Sequence, residues 1–266
     1  MSWLKYVVMG VLVLFIALAY SFPNSLVVYT LNKNSGGLFD AWYELPHNNE
    51  PFDYVLYNGL TQADIEPISS QLNQHYQTVL VNLGVQAMPV VTVRIWRDYE
   101  AFQAEQALAL GQRYKGSMGY VTWAKQPEIR LMYKTEAQSS VAVLHEFAHL
   151  VSLAVNSTIA NNPRWLWESI ALFEAGSMNV LPQSIDYLLA RDFPTLAELN
   201  RGYNQAHEQR NIYQVGYVLA EYVVARWGRV ALVNLVKNNG DVQQTLNVST
   251  EEFESGWYDF IEKTYL

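Results

Sequence analysis

Cysteine is missing from this chain of 266 residues, and basic residues are scarce: 17 Lys and Arg stand against 25 Asp and Glu, a formal net charge of −8. Without cysteine there is no disulfide framework and no thiolate metal site, so any metal ion has to be held by His, Asp or Glu. Without a basic block there is no electrostatic footprint for nucleic acid and no polybasic patch for a membrane surface. Histidine is also rare, at five residues, which makes two of them in one pentapeptide informative. No internal repeat and no low-complexity tract is visible. Half the residues are hydrophobic and 14% are aromatic, enough to bury a substantial core in one domain or two small ones.

What is present begins with an address. MSWLK carries one lysine, and YVVMGVLVLFIALAY then runs without a charged residue to Ser21. This reads as a secretory signal or a signal anchor. Ala17-Leu18-Ala19 fits a small-x-small cleavage site, whereas the apolar run up to Phe22 reaches the short end of a membrane span, about 17 residues. Both readings export the rest of the chain, either anchored and facing the periplasm or exterior, or released there. Residues 23–50 are rich in turn-formers and read as a linker or irregular lead-in. Residues 51–266 read as the working domain.

From Pro51 the patterns become regular. PFDYVLYN alternates like a strand, and Ile65, Ile68, Leu72, Tyr76, Val79 and Leu83 then recur at helical spacing, with Gly84 suited to the helix end. Pro67 is expected near that helix's first turn, or to kink it. VVTVRIW is a β-branched strand, followed by a short helix through AFQAEQALAL. GSMGYVTW and PEIRLMY are two strand-like runs joined by a turn around Lys125-Gln126-Pro127. After Thr135 the chain reads as helical almost to its end. The expected fold is therefore α+β, a mixed sheet with helices in the N-terminal half and a helical C-terminal half.

The chemistry centres on VLHEFAHLVS, residues 143–152. On a helix, His145 and His149 lie four apart on one face and can reach the same ion. Glu146 is rotated about 100° from His145, beside the ion rather than on it. A base sits there when it takes a proton from water activated by a metal. An amphipathic core helix with a chance match is the competing reading. Against it, a charged Glu146 among Val143, Leu144, Phe147, Leu150 and Val151 is costly unless it has a partner.

A catalytic zinc takes three protein ligands and keeps one position open. The metzincin arrangement, with Gly three and His six residues after the second His, is excluded because Ser152 and Val155 stand there. The other arrangement is a carboxylate returned by a second helix. NSTIANNPR supplies a loop, Pro163 suits a helix start, and WLWESIALFEAG places Glu168 nineteen positions after His149, giving H-E-x-x-H-x18-E. Trp165, Leu166, Ile170 and Leu172 surround Glu168 with apolar neighbours. Glu174 is the competing carboxylate, expected beside the ligands or at the surface.

These residues, with PRWLWESIALFEAG around the last, resemble the gluzincin metallopeptidases, and more narrowly the peptidase MA-like domains of exported bacterial proteins. Those pair an H-E-[apolar]-x-H helix with a P-x-W-L-x-E-G-x-A segment; here Ser169 replaces the Gly. IYQVGYVLAEYVVARWG (212–228) is similar to the family's Tyr-containing helix, and STEEFESGWYDFIEK (249–263) to its closing segment. The resemblance implies a one-zinc site on His145, His149 and Glu168, and a sheet whose edge strand lines the cleft. It also implies hydrolysis of a peptide or protein substrate with Glu146 as general base.

Developing negative charge at the scissile carbonyl calls for a second electrophile, a Tyr or His. Tyr213 matches the family position, and Tyr217 shares its helical face four residues on, so both stand as candidates. GSMGYVTW offers a cleft edge whose two glycines would admit a substrate backbone. His47, His75 and His207 read as surface residues. Two rivals remain open: a non-catalytic binding or scaffold module at the envelope, and a metallohydrolase acting on a non-peptide amide.

Overall fold

The computed structural model describes residues 51–201 and 210–266 in full, with the backbone of two further strands at 26–30 and 40–44. The N-terminal apolar run, most of the lead-in including His47, and the stretch around His207 lie outside the described residues. Two strands of the lead-in, β1 (Leu26–Thr30) and β2 (Asp40–Glu44), join the sheet. LVVYT and DAWYE are short β-formers that the surrounding turn-formers obscured in the linker reading.

The fold is mixed α and β, consistent with the α+β expectation. After β3 (Phe52–Tyr57) come helix α1 (Gln62–Asn82), β4 (Val91–Trp96), α2 (Tyr99–Leu110), β5 (Gly119–Trp123) and β6 (Pro127–Met132). The sheet order is β1-β2-β3-β4-β6-β5. β3–β4 and β4–β6 are parallel, linked by crossovers that carry α1 and α2, and the other pairs are antiparallel. β5 therefore ends the sheet.

Period-two alternation assigns the two faces. Phe52, Tyr54, Leu56, Val91, Val93, Ile95, Ile129 and Leu131 enter the main core. Trp96, Tyr120 and Met132 point the other way, into a smaller cluster closed by Phe102 of α2. Each large apolar side chain fully buried in this way contributes about 1.5–3 kcal/mol.

Helix ends follow their local chemistry. Thr61 and Asp64 form a capping box at α1. Pro67 sits inside that helix rather than in its first turn. The α1 C-terminus closes as a Schellman motif: Val85 N donates to Leu80 O, and Gly84, at φ +70°, donates to Val81 O.

Among the described residues eight α-helices follow α2. The first six are α3 (Glu136–Val155), α4 (Arg164–Glu174), the short α5 (Asp186–Leu189) and α6 (Leu196–Leu199), then α7 (Ile212–Trp227) and α8 (Arg229–Lys237). Two more, α9 (Val242–Leu246) and α10 (Thr250–Tyr265), complete the chain. Thr135 caps α3 by accepting from Gln138 N, and Pro163 stands at the N-cap of α4. α3 packs against α1, β5, β6 and α4, while α4 packs along α7. Gly216 permits that last approach: a Cβ there would lie 2.8 Å from Leu172 Cδ1 and 3.2 Å from Ser169 Oγ. Among the described residues, no helix is long and apolar enough to cross a membrane.

Candidate metal centre

α3 presents His145 and His149 one turn apart, with ring centroids 4.6 Å from one another. α4 returns Glu168 to them, its Oε2 3.2 Å from His145 Nε2 and 3.7 Å from His149 Nε2. One ligand atom from each of the three residues lies within 4.8 Å of the others, so the group can hold a metal ion. An ion bound tetrahedrally at 2.0–2.2 Å needs ligand atoms about 3.4 Å apart, which these separations approach. The His149 ring lies flat on Trp167, at 3.9 Å and 8°. Its Nδ1 is buried without a hydrogen-bond partner, so stacking, rather than the usual hydrogen bond to the second nitrogen, orients this imidazole.

The two oxygens of Glu168 have different surroundings. Oε1 accepts a hydrogen bond from Tyr213 Oη at 3.2 Å and lies 3.7 Å from Arg164 Nη1. Oε2 is buried and accepts no well-aligned hydrogen bond. His145 Nε2, 3.2 Å away, is the nearest group that meets its charge. A metal ion can take the place of that contact, and the donor set of two imidazoles and a carboxylate suits one.

Glu146 takes the neighbouring position on α3, under the edge strand. A Cβ at Gly119 would fall 2.8 Å from both Cγ and Oε1 of Glu146. Gly119 thus makes room for the glutamate, where the sequence suggested room for a substrate backbone. Above Glu146 and His145 opens a cleft of about 640 Å³, walled by Gly116–Gly119 leading into β5, Gln138, Val141 and Ala142 of α3, and Leu172, Asn179 and Tyr213.

Burial and neighbouring charge pull these groups apart. Burial raises the Glu146 carboxyl to about 7, the charge of Glu168 adding to the rise and His145 opposing it. For Glu168 burial also favours the neutral form, but the adjacent imidazoles and the Arg164 guanidinium outweigh it and hold the carboxyl at about 2. Burial works against a charged His145, yet Glu168 beside it leaves that imidazole raised above its usual value. His149, buried and next to His145, is lowered well below its own.

The remaining expected residues are now placed. Tyr213 reaches the centre, while Tyr217, one turn on, tilts against Phe173 at 5.3 Å and does not line the cleft. Glu174 is neither a ligand nor a surface residue. Its side chain is 2% exposed and accepts from Arg229 at 2.6 Å and Asn82 at 2.7 Å, tying α4 to α8 and α1. His75 is half-buried on α1, its Nδ1 3.0 Å from Gln71 O. Arg164, Trp167 and the packing role of Gly119 went unassigned in the sequence. Arg164 did carry a signal, standing four residues before Glu168 on the same helix face. Gly119 carried another, a glycine inside a strand pattern. No protein-family model matches the chain, and no curated protein matches it significantly.

Proposed function

We propose that this chain is a zinc-dependent peptidase of the gluzincin type, exported by its N-terminal segment. The observation that carries the reading is the convergence of three buried or half-buried donors, His145 Nε2, His149 Nε2 and Glu168 Oε2, the carboxylate oxygen lying 3.2 and 3.7 Å from the two imidazole nitrogens. Two imidazoles and one carboxylate, with no sulfur, match a catalytic zinc site that keeps its fourth position for water or substrate. Zinc held by His145, His149 and Glu168 supplies a Lewis acid that brings the pKa of water from 15.7 to about 7.

The protein's own groups do the rest. An extended substrate lies along the outer edge of β5, the strand that ends the sheet beside the cleft. Glu146, on the cleft floor, accepts the proton of the attacking water and delivers it to the leaving amine. Its position under Gly119 limits how far its carboxylate can swing. Val141, Ala142 and Leu172 give the open cleft an apolar wall for the substrate's side chains.

The test is cleavage of a peptide library by the zinc-loaded protein and by Glu146→Gln. The expected outcome is cleavage by the wild type and a loss of about 10²–10⁴-fold in the variant, with zinc retained. Equal cleavage by both proteins would remove Glu146 as the base. A wild type that binds zinc and hydrolyses only non-peptide amides would redirect the substrate class, and one inert to both would favour a binding module.

A further inference from the structure

We infer that Arg164 and Tyr213 form a clamp on Glu168 that turns one carboxylate oxygen toward the metal, so that Tyr213 acts as a positioning residue through Glu168. The inference rests on the metal-site reading. Arg164 is a buried cation, 7% exposed, in the first turn of α4. Its Nη1 lies 3.7 Å from Glu168 Oε1 and donates to Asn161 Oδ1 at 3.1 Å. Its Nη2 donates to Tyr213 Oη at 3.1 Å, and its guanidinium carbon stands 5.4 Å from the centre of the Tyr213 ring. Tyr213 Oη passes the hydrogen bond on to Glu168 Oε1 at 3.2 Å.

Cation, hydroxyl and carboxylate thus form a chain that ends on one oxygen only. A carboxylate free to rotate about its last carbon–carbon bond presents its two oxygens interchangeably. With Oε1 held from one side by Tyr213 and Arg164, the plane is fixed and Oε2 is directed at the imidazoles. The desolvation of a buried guanidinium is costly and calls for compensation; the Glu168 charge supplies part of it. The chain also accounts for the placement of Tyr213. The close approach of α7 at Gly216 sets the tyrosine, one turn earlier, against Glu168.

A hydroxyl that only stabilised negative charge on the substrate would leave metal affinity untouched when removed. A clamp would not. The experiment measures zinc affinity by competition with a chromophoric chelator, using the full-length chain as wild type, Tyr213→Phe, Arg164→Met and the double variant. Thermal melts of the metal-free proteins report the fold. The expected result is a 10- to 100-fold weaker zinc affinity in each single variant. The double variant should be little weaker than the worse single, because both act through one oxygen. Tyr213→Phe removes a single atom and keeps the ring, so it decides the question even if Arg164→Met fails to fold. Zinc affinity within two-fold of wild type in a folded Tyr213→Phe overturns the clamp and leaves the metal site standing. A wild type that takes up no zinc overturns the metal site and the clamp together.

Discussion

Two glutamates six residues apart on α4 are both buried, and both face an arginine, yet they are finished differently. Glu174 has both oxygens satisfied, by Arg229 at 2.6 Å and Asn82 at 2.7 Å. Glu168 has one oxygen engaged by Tyr213 and Arg164, and the other turned to two imidazoles, at 3.2 Å from His145 Nε2 and 3.7 Å from His149 Nε2. The first arrangement is complete without anything added, and its product is a joint between three helices. The second brings three donors together that can hold a metal ion. Burial and charge alone therefore do not mark a site; what separates the two glutamates is which groups their oxygens face, an arginine and an amide for one and two imidazoles for the other.

The comparison can be broken from the structural side. Glu174→Ala leaves Arg229 and Asn82 without their acceptor. Because the Arg229 side chain remains 37% exposed, water recovers part of the loss, and the expected cost is about 2 kcal/mol by denaturant melt. Zinc affinity should stay within two-fold of wild type. A loss of zinc with no loss of stability would reverse the roles assigned to the two glutamates.

An effect of similar size on stability is expected where the third buried glutamate meets the sheet edge. Gly119→Ala puts a methyl group 2.8 Å from Glu146 Cγ, and overpacking of this kind costs about 1–3 kcal/mol. Glu146 has to move to make room, so peptide hydrolysis should fall about ten-fold while zinc content holds. Unchanged hydrolysis would mean that Glu146 does not work from the position seen under β5.

The smallest effect separates an unpaired atom that serves a ligand from one that does not. Ser169 Oγ is also buried without a partner, pressed against Gly216, but it faces another helix rather than the metal centre. Ser169→Ala should raise stability by about 1 kcal/mol, since it removes an unmet hydroxyl, and leave zinc binding alone. A drop in zinc affinity would move Ser169 into the support of its neighbour Glu168.

Much of this was legible from residue order because its causes are local. Period two placed the core strands, Thr135 and Gly84 marked helix ends, and the i, i+4 histidines with the nineteen-residue return brought together three residues that can hold a metal ion. What stayed hidden depends on contacts between elements far apart in the chain. Tyr213 and Tyr217 share a helical face in sequence; only the approach of α7 to α4 at Gly216 decides which reaches Glu168. Gly119 looked like a feature of a strand because nothing in β5 announces the Glu146 side chain beneath it. Glu174 read as standing beside the ligands or at the surface because its partners, Asn82 and Arg229, are supplied by α1 and α8. The strands at Leu26–Thr30 and Asp40–Glu44 were obscured by the turn-formers between them.

The central claim is that His145, His149 and Glu168 hold one zinc ion, and zinc content per chain tests it most directly. Mass spectrometry of the metal in purified, zinc-reconstituted full-length protein, beside Glu168→Ala and Glu174→Ala, is the measurement to make. The account predicts about one zinc per chain in the wild type and in Glu174→Ala, and a clear loss in Glu168→Ala. No zinc in the wild type, or equal zinc in wild type and Glu168→Ala, would contradict it.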